Sequence, residues 1–408
     1  VHEAGGWAAP LGIALRADGL AAVMLLMVTA VGLTVSVYAT GYFGAQPSSS
    51  SSSLFSIPPR FREPAGFGDE DEDEDEVEHE RGGFWTLWLF LWAALNALFL
   101  SRDLFNLYVT LELLGLAAVA LVALAGAPVA VGAAMRYLLV SLLGSLAFLL
   151  GVALVYAAHG TLDLPQLGQR LAPGPGAATA LGLMTAGLRM KTALFPLHFW
   201  LPPAHANAPA PVSALLSALV VKASFYLVVR LWFEVFAPAT TRAAHELLGA
   251  LGAAAVLWGS YQALHQPRLK LVVAYSTVAQ LGYLFLLFPL AGAAGGGFTA
   301  WAGVALFALA HAGAKTAMFL GAGSLMRAAG HDRLAELAPA ARVRPVTMFA
   351  FALAAVSLIG LPPSGGFLAK WMLLNAALAT GQWWWVVVLA AGPLLAAAHP
   401  LRGLAPPF

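Results

Sequence analysis

Long apolar stretches, separated by a few polar or turn-forming residues, recur along almost the whole chain. Those long enough to cross ~30 Å of hydrocarbon at ~1.5 Å per helical residue fall near 17–41, 84–101, 104–125, 132–158, 177–201, 211–236, 243–264, 271–291, 298–326, 346–379 and 383–399. The pattern predicts an all-α polytopic membrane protein with about eleven transmembrane helices.

One segment departs from this rhythm. Residues 45–82 carry the serine run Ser48 to Ser53, the pair Pro58-Pro59 and an acidic tract from Asp69 to Glu76. Such a composition cannot bury enough apolar surface to offset chain entropy, so a disordered loop is expected. The resulting division is an N-terminal helix in 1–44, the loop 45–82, a five-helix block 83–236 and a second five-helix block 237–408. An odd number of crossings starts the second block from the opposite face, which is the layout of an inverted repeat. A Leu-Pro-Pro stands in the fourth span of each block, at Leu201 to Pro203 and at Leu361 to Pro363. Proline removes a backbone donor and clashes with the preceding turn, so a broken helix is expected at Pro202-Pro203 and at Pro362-Pro363.

Composition agrees with a lipid solvent: 60% of residues are apolar and 10% charged, against roughly 25% charged in a soluble domain. The formal net charge of +1 gives no reason to expect a nucleic-acid partner. With no cysteine, disulfides, Cys-held iron–sulfur clusters and thiolate zinc sites are excluded. No cofactor fingerprint or metal-ligand set is apparent, and Val1 to Pro10 does not read as a signal peptide. Loop cations gather on one side, at Arg60, Arg62, Arg81, Arg268, Lys270, Arg327, Arg333, Arg342, Arg344 and Arg402. By the preference of positive loops for the cytoplasm, the N-terminus is expected outside and the acidic loop and C-terminus inside a cell (inner or plasma) membrane.

The chemistry lies with lysine. Four of the chain's five lysines, Lys191, Lys222, Lys315 and Lys370, fall inside apolar spans, whereas the sixteen arginines mostly mark loops and span ends. A charge at mid-membrane costs ~2.5–3.5 kcal/mol even on insertion scales, so such residues face a polar interior and serve a function. Arginine would cost as much but never gives up its proton; a buried amine can, and a proton carrier needs that property. The bland alternative, snorkelling to an interface, suits Lys222 poorly because it stands about a dozen residues into its span.

Glu112 is the one carboxylate well inside a span, and is expected either to be neutral or to meet a buried lysine, with Lys191 as the proposed partner. Glu234 and Asp103 lie near span ends and read as interfacial. His311 and Lys315 are four apart, hence on one helix face, and a histidine can relay protons near neutrality. His198 and His205 bracket Pro202-Pro203, although a lone buried histidine is commonly just hydrogen-bonded.

The stretches KTALFPLHFWLPPAHANAP (191–209), Ser213 to Lys222, AYSTVAQLGY (274–283), His311 to Leu320 and IGLPPSGGFLAK (359–370) carry a resemblance. The chain resembles the proton-conducting, antiporter-like membrane subunits of respiratory complex I, membrane-bound hydrogenases and Mrp antiporters, and is most similar to the Mrp D-type and hydrogenase-type branches. The likeness covers nearly everything except the low-complexity loop. It implies that Glu112 and Lys191 are the family's essential pair, that Lys222, His311 and Lys315 form a central polar axis, and that Lys370 is the terminal carrier. It further implies coupling to neighbouring membrane subunits of one complex. Family members have about fourteen spans, so this chain reads as running from the third to near the thirteenth.

Three functions compete: a non-redox, proton-translocating subunit with protons or sodium ions as cargo, a structural scaffold whose polar residues fix helix packing, and a self-sufficient cation/proton antiporter.

Overall fold

The computed structural model describes residues 1–3, 6–7, 12–44, 69–293 and 295–404. A short pairing of His2–Glu3 with Ala14–Leu15 precedes α1 (Gly19–Gly44). There follow α2 (Asp69–Leu100), α3 (Leu104–Ala123), α4 (Pro128–His159), α5 (Leu164–Arg170), α6 (Pro175–Thr192) and α7 (Leu201–Asn207). The next span is composite: α8 (Ala210–Leu215), a π turn at Leu216–Val220, α9 (Val221–Arg230) and a second π turn at Leu231–Val235. The chain continues through α10 (Arg242–Leu264), α11 (Leu269–Phe285), α12 (Leu287–Ala291) and α13 (Gly297–Ala329). It closes with α14 (Ala338–Val343), α15 (Pro345–Ile359), α16 (Gly365–Ala379) and α17 (Trp383–Leu404).

Among the described residues, eight helical segments are long and apolar enough to cross a membrane, and three shorter apolar helices, 345–359, 365–379 and 383–398, accompany them. Lipid tails are as apolar as leucine, so helices associate through close approach of small residues. Gly144 on α4 and Gly187 on α6 supply one such crossing, where a Cβ on Gly144 would come within 2.7 Å of the Gly187 carbonyl. Gly252 on α10 and Gly282 on α11 supply another, at 2.6 Å. The composite span Ala210–Val235 is buried except at Phe233 and Glu234, whereas α4 turns Leu139, Leu143, Leu146 and Leu150 outward. The former is the centre of the bundle.

Loop contacts define two ends. Arg16 N–H donates to Leu100 O, Leu104 N–H to Leu162 O, and Arg16 pairs with Glu234, so these residues share one end. At the other end Arg268 pairs with Asp332, Leu334 N–H donates to Pro267 O, and Arg327 reaches Tyr42 O. Glu234 and Asp103 stand at the first end as read from sequence, the latter capping α3 by accepting from the Phe105 and Asn106 amides.

Two details differ from the sequence reading. The first interruption runs from Ala193 to Trp200, before Leu-Pro-Pro and not at it; Pro202 and Pro203 open α7. In the first turn of a helix a proline forfeits only an amide that has no helical partner anyway. The second interruption, Gly360 to Ser364, does contain Pro362 and Pro363. The bounds of α2 take in 69–82, which composition assigns to the loop; once the apolar half is helical, each further residue adds a bond without a new nucleation cost. The rest of that expected loop, 45–68, lies outside the described residues.

Candidate functional site: buried lysines at two interrupted helices

Lys191 belongs to the last turn of α6, immediately before the first interruption. Its Nζ lies 3.1 Å from Glu112 Oε1 on α3 and donates to Ser141 Oγ on α4 at 2.8 Å. One turn along α4, the Ser145 hydroxyl donates to the same Glu112 oxygen. The lysine side chain is 5% exposed and the carboxylate 19%, so the pair is held inside the bundle with the acid toward its margin. The end of α6 is organised to keep this geometry: Trp200 Nε1 donates to the Met190 carbonyl at 2.8 Å, and its ring stacks on Tyr137. A helix C-terminus carries partial negative charge, which favours an ammonium there.

Lys222 follows the first π turn of the central span and donates to the carbonyls of Ser217 (3.1 Å) and Ala218 (2.7 Å) on its own helix. Single π turns free carbonyls from the regular ladder and recur at functional positions. The Ser217 hydroxyl bonds Thr277 Oγ1 at 2.9 Å, Thr277 donates to Val273 O, and Lys315 donates to that same carbonyl at 2.7 Å and to Ser276 Oγ. Hydroxyls of α11 thus stand between two ammonium groups. His311, one turn from Lys315, is enclosed, has no hydrogen-bond partner on either ring nitrogen among the described residues, and lies within electrostatic reach of Lys222, Lys315 and Lys370.

Lys370 mirrors Lys191 at the second interruption. It reaches back from α16 to donate to the Leu358 (2.7 Å) and Ile359 (3.1 Å) carbonyls, which end α15. Its ammonium also stands 4.6 Å from the centre of the Tyr283 ring, a cation–π contact. Gly360, at φ 90°, closes α15 where a Cβ would fall 2.9 Å from Lys370 Cδ, so the turn and the lysine require each other's shape.

The two supporting histidines part company. His205 stacks on Phe319 and lies within reach of Lys315 and Lys270, whereas His198 packs on Phe195 inside the first interruption and meets no lysine. A cleft of 540 Å³ lined by Thr240, Arg242, His245, Glu246 and Gln382 contains none of the lysines.

Sequence reasoning missed Lys270. Counted among loop cations beside Arg268, it is 4% exposed and donates to the Ala208 carbonyl. All five lysines of the chain are therefore buried. The signal was the residue choice itself, since the genuine loop cations are arginines. Ser141 and Ser145 were also missed, although four-residue spacing on an apolar helix marked a common face. So was Gln280, enclosed on α11 with its Oε1 unpartnered.

A bundle of apolar helices with ammonium groups at its heart is a multi-pass membrane protein with an intramembrane charge system. Residues 101–395 match the family profile described as NADH:quinone oxidoreductase/Mrp antiporter, transmembrane region. Residues 7–50 match a second, the N-terminus of NADH-ubiquinone oxidoreductase (complex I) chain 5. The N subunit of the NADH-quinone oxidoreductase of Desulforudis audaxviator is 37% identical over 398 residues, covering 97% of this chain and 72% of the relative. The D subunit of the Na(+)/H(+) antiporter of Bacillus subtilis is 28% identical over 93% of this chain and 70% of its own length. Among solved structures, a chain of the Mrp complex from Dietzia sp. DQ12-45-1b superposes with a TM-score of 0.81 at 27% identity, over 99% of this chain and 68% of that one. The chain belongs to the NADH:quinone oxidoreductase/Mrp antiporter transmembrane family.

Proposed function

We propose that the chain is a proton-conducting membrane subunit of a larger complex, with cation/proton exchange, sodium being the cation, as the variant of that role. The observation that carries the reading is a set of enclosed, titratable side chains: the Glu112–Lys191 pair, Lys222 and Lys315 bridged through Ser217, Thr277 and the Val273 carbonyl, and His311 within electrostatic reach of Lys222, Lys315 and Lys370. A lysine amine can exist with or without its proton, and each of these is positioned by carbonyls or hydroxyls that accept from the charged form. Protonation of one member changes the electrostatic cost of protonating the next, which is how a proton can be handed along without a cofactor in this chain.

In this reading the chain makes eleven crossings, the helices interrupted at 193–200 and 360–364 counting once each, and 83–236 and 237–408 are inverted five-crossing repeats. The Arg268 end faces the cytoplasm and the Asp18 end the outside, following the arginine bias of the loops. The relatives are named as subunits, and by analogy the partners are other membrane subunits that supply the driving energy.

The test is proton flux in a reconstituted complex. Glu112→Ala and Lys191→Ala should assemble at reduced yield and lose proton flux; undiminished flux would return the chain to a scaffold role. Transport by the purified chain alone would instead favour a self-sufficient antiporter.

A further inference from the structure

Around Lys191 Nζ the chain has built more than an ion pair. Two side-chain oxygens meet the ammonium from two helices, Glu112 Oε1 at 3.1 Å and Ser141 Oγ at 2.8 Å, and Ser145 Oγ is hydrogen-bonded to the same carboxylate oxygen. Gly115, one turn from Glu112 on α3, lets these groups pack directly against the helix: a Cβ there would stand 2.9 Å from Ser141 Oγ and 3.4 Å from Lys191 Nζ. One carboxylate and two hydroxyls, with a glycine in place of any bulkier side chain beside them, form an oxygen-only donor set of the kind that hard cations take.

The lysine that occupies this cradle is the member best able to leave it. It lies in the last turn of α6, with the interruption 193–200 directly after. Glu112, Ser141 and Ser145, by contrast, sit in the interiors of the long helices α3 and α4, so the oxygens stay when the amine moves. Half-helix C-terminal ends beside unwound backbone are recurrent sites for small cations in membrane transporters.

We infer that Glu112, Ser141 and Ser145, with Gly115 keeping the space, form a binding site for a small monovalent cation of sodium's size, for which the Lys191 ammonium is the built-in competitor. An amine swinging out as the cation arrives, and back as it departs, exchanges one positive charge for another without leaving the carboxylate bare. The inference rests on the cation-exchanging variant of the proposed function and gives that variant its site.

The experiment uses the full chain in detergent with sodium chloride against equal choline chloride and potassium chloride. In Lys191→Ala, where the competitor is gone, sodium should raise the thermal midpoint by about 2 °C more than either control salt. Ser141→Ala combined with Ser145→Ala in that background, or Glu112→Gln, should abolish the difference. If Lys191→Ala does not fold, the excess sodium-23 NMR line width of the unaltered chain, and its loss in Gly115→Ala and Ser145→Ala, reads the same site. An equal response to choline, or a sodium response that survives removal of both hydroxyls, overturns the inference. Undiminished proton flux in Glu112→Ala would sink the proton reading without bearing on the sodium response of Lys191→Ala, so the two failures are separable.

Discussion

The two interrupted helices put an ammonium at the C-terminal end of a half-helix, yet they neutralise it differently. At the first, Lys191 comes from the half-helix that ends and meets a carboxylate and a hydroxyl. At the second, Lys370 reaches back from the half-helix that begins, and meets two carbonyls and an aromatic face without a counter-charge. Dipoles hold a cation in place but leave its charge in the bilayer's field, whereas a carboxylate cancels it. The first interruption thus holds its ammonium as an ion pair, the second as an ammonium held by dipoles alone.

This contrast predicts its own hierarchy of effects. Lys191→Ala strands Glu112 and Glu112→Ala strands Lys191, and removing one partner of a buried pair costs ~3–5 kcal/mol. Removing both should recover part of that loss, a non-additivity readable as thermal midpoints of the four chains in a double-mutant cycle. Simple additivity would mean the two residues are not coupled. Lys370→Met leaves only neutral carbonyls without a donor, about 1–3 kcal/mol, so its stability loss should be the smaller of the two. Proton flux separates chemistry from stability at this position: Lys370→Arg keeps the charge and should keep the fold, yet lose flux at least as fully as Lys370→Met, because a guanidinium does not give up its proton. Full flux in Lys370→Arg would make this lysine an anchor and erase the distinction between the two ends.

Ser141→Ala probes the pair from a third helix. It removes the hydroxyl that accepts from Lys191 while sparing the carboxylate, for an expected ~0.5–1.5 kcal/mol. The same serine-to-alanine change at Ser276, beside Lys315, tests whether hydroxyls matter equally where no carboxylate is present. Proton flux should fall more for Ser276→Ala, since Lys315 keeps only the Val273 carbonyl while Lys191 keeps Glu112.

What could be read beforehand follows from which signals are local. Apolar run length is a property of consecutive residues, so spans such as 104–125 and 243–264 were legible to within a few positions of α3 and α10. Glu112 and Lys191 could be matched because a lone carboxylate and a cation at bilayer depth have few other partners to choose from. The position of the first interruption was not legible, since proline disrupts a helix interior but opens one comfortably, and only tertiary packing of Trp200 against Tyr137 decides which. Lys270 was misread for a related reason. Its neighbour Arg268 does lie at a loop, and the two positions from there into the helix are enough to carry a side chain from the surface into the bundle, where the Ala208 carbonyl receives it. The bond chain from Lys222 through Ser217 and Thr277 to Lys315 joins helices distant in sequence, which no spacing rule reaches.

The weakest test lies where charges meet water, and it fixes the scale for the others. At the end of the bundle that carries Arg16 and Leu100, Asp18 pairs with Arg230 at 2.5 Å and Arg16 at 3.1 Å, and Glu234 joins both arginines. Burial pushes the Asp18 carboxyl up, but the hydrogen bond from Arg230, the Ala21 amide and the charge of Arg16 outweigh it and bring it down from 3.8 to about 2. A folded-state value below the unfolded one means the network's contribution is complete above 3.8 and is lost as pH falls through about 2. Asp18→Asn should therefore lower the thermal midpoint at neutral pH by the equivalent of only ~0.2–1 kcal/mol, as partly exposed pairs do. The gap between variant and parent should close as pH approaches that lower value. If Asp18→Asn cost as much as Glu112→Ala, charge pairs at the water-facing end and at bilayer depth would be energetically alike. The difference drawn between a neutralised lysine and a lone one would then lose its physical basis.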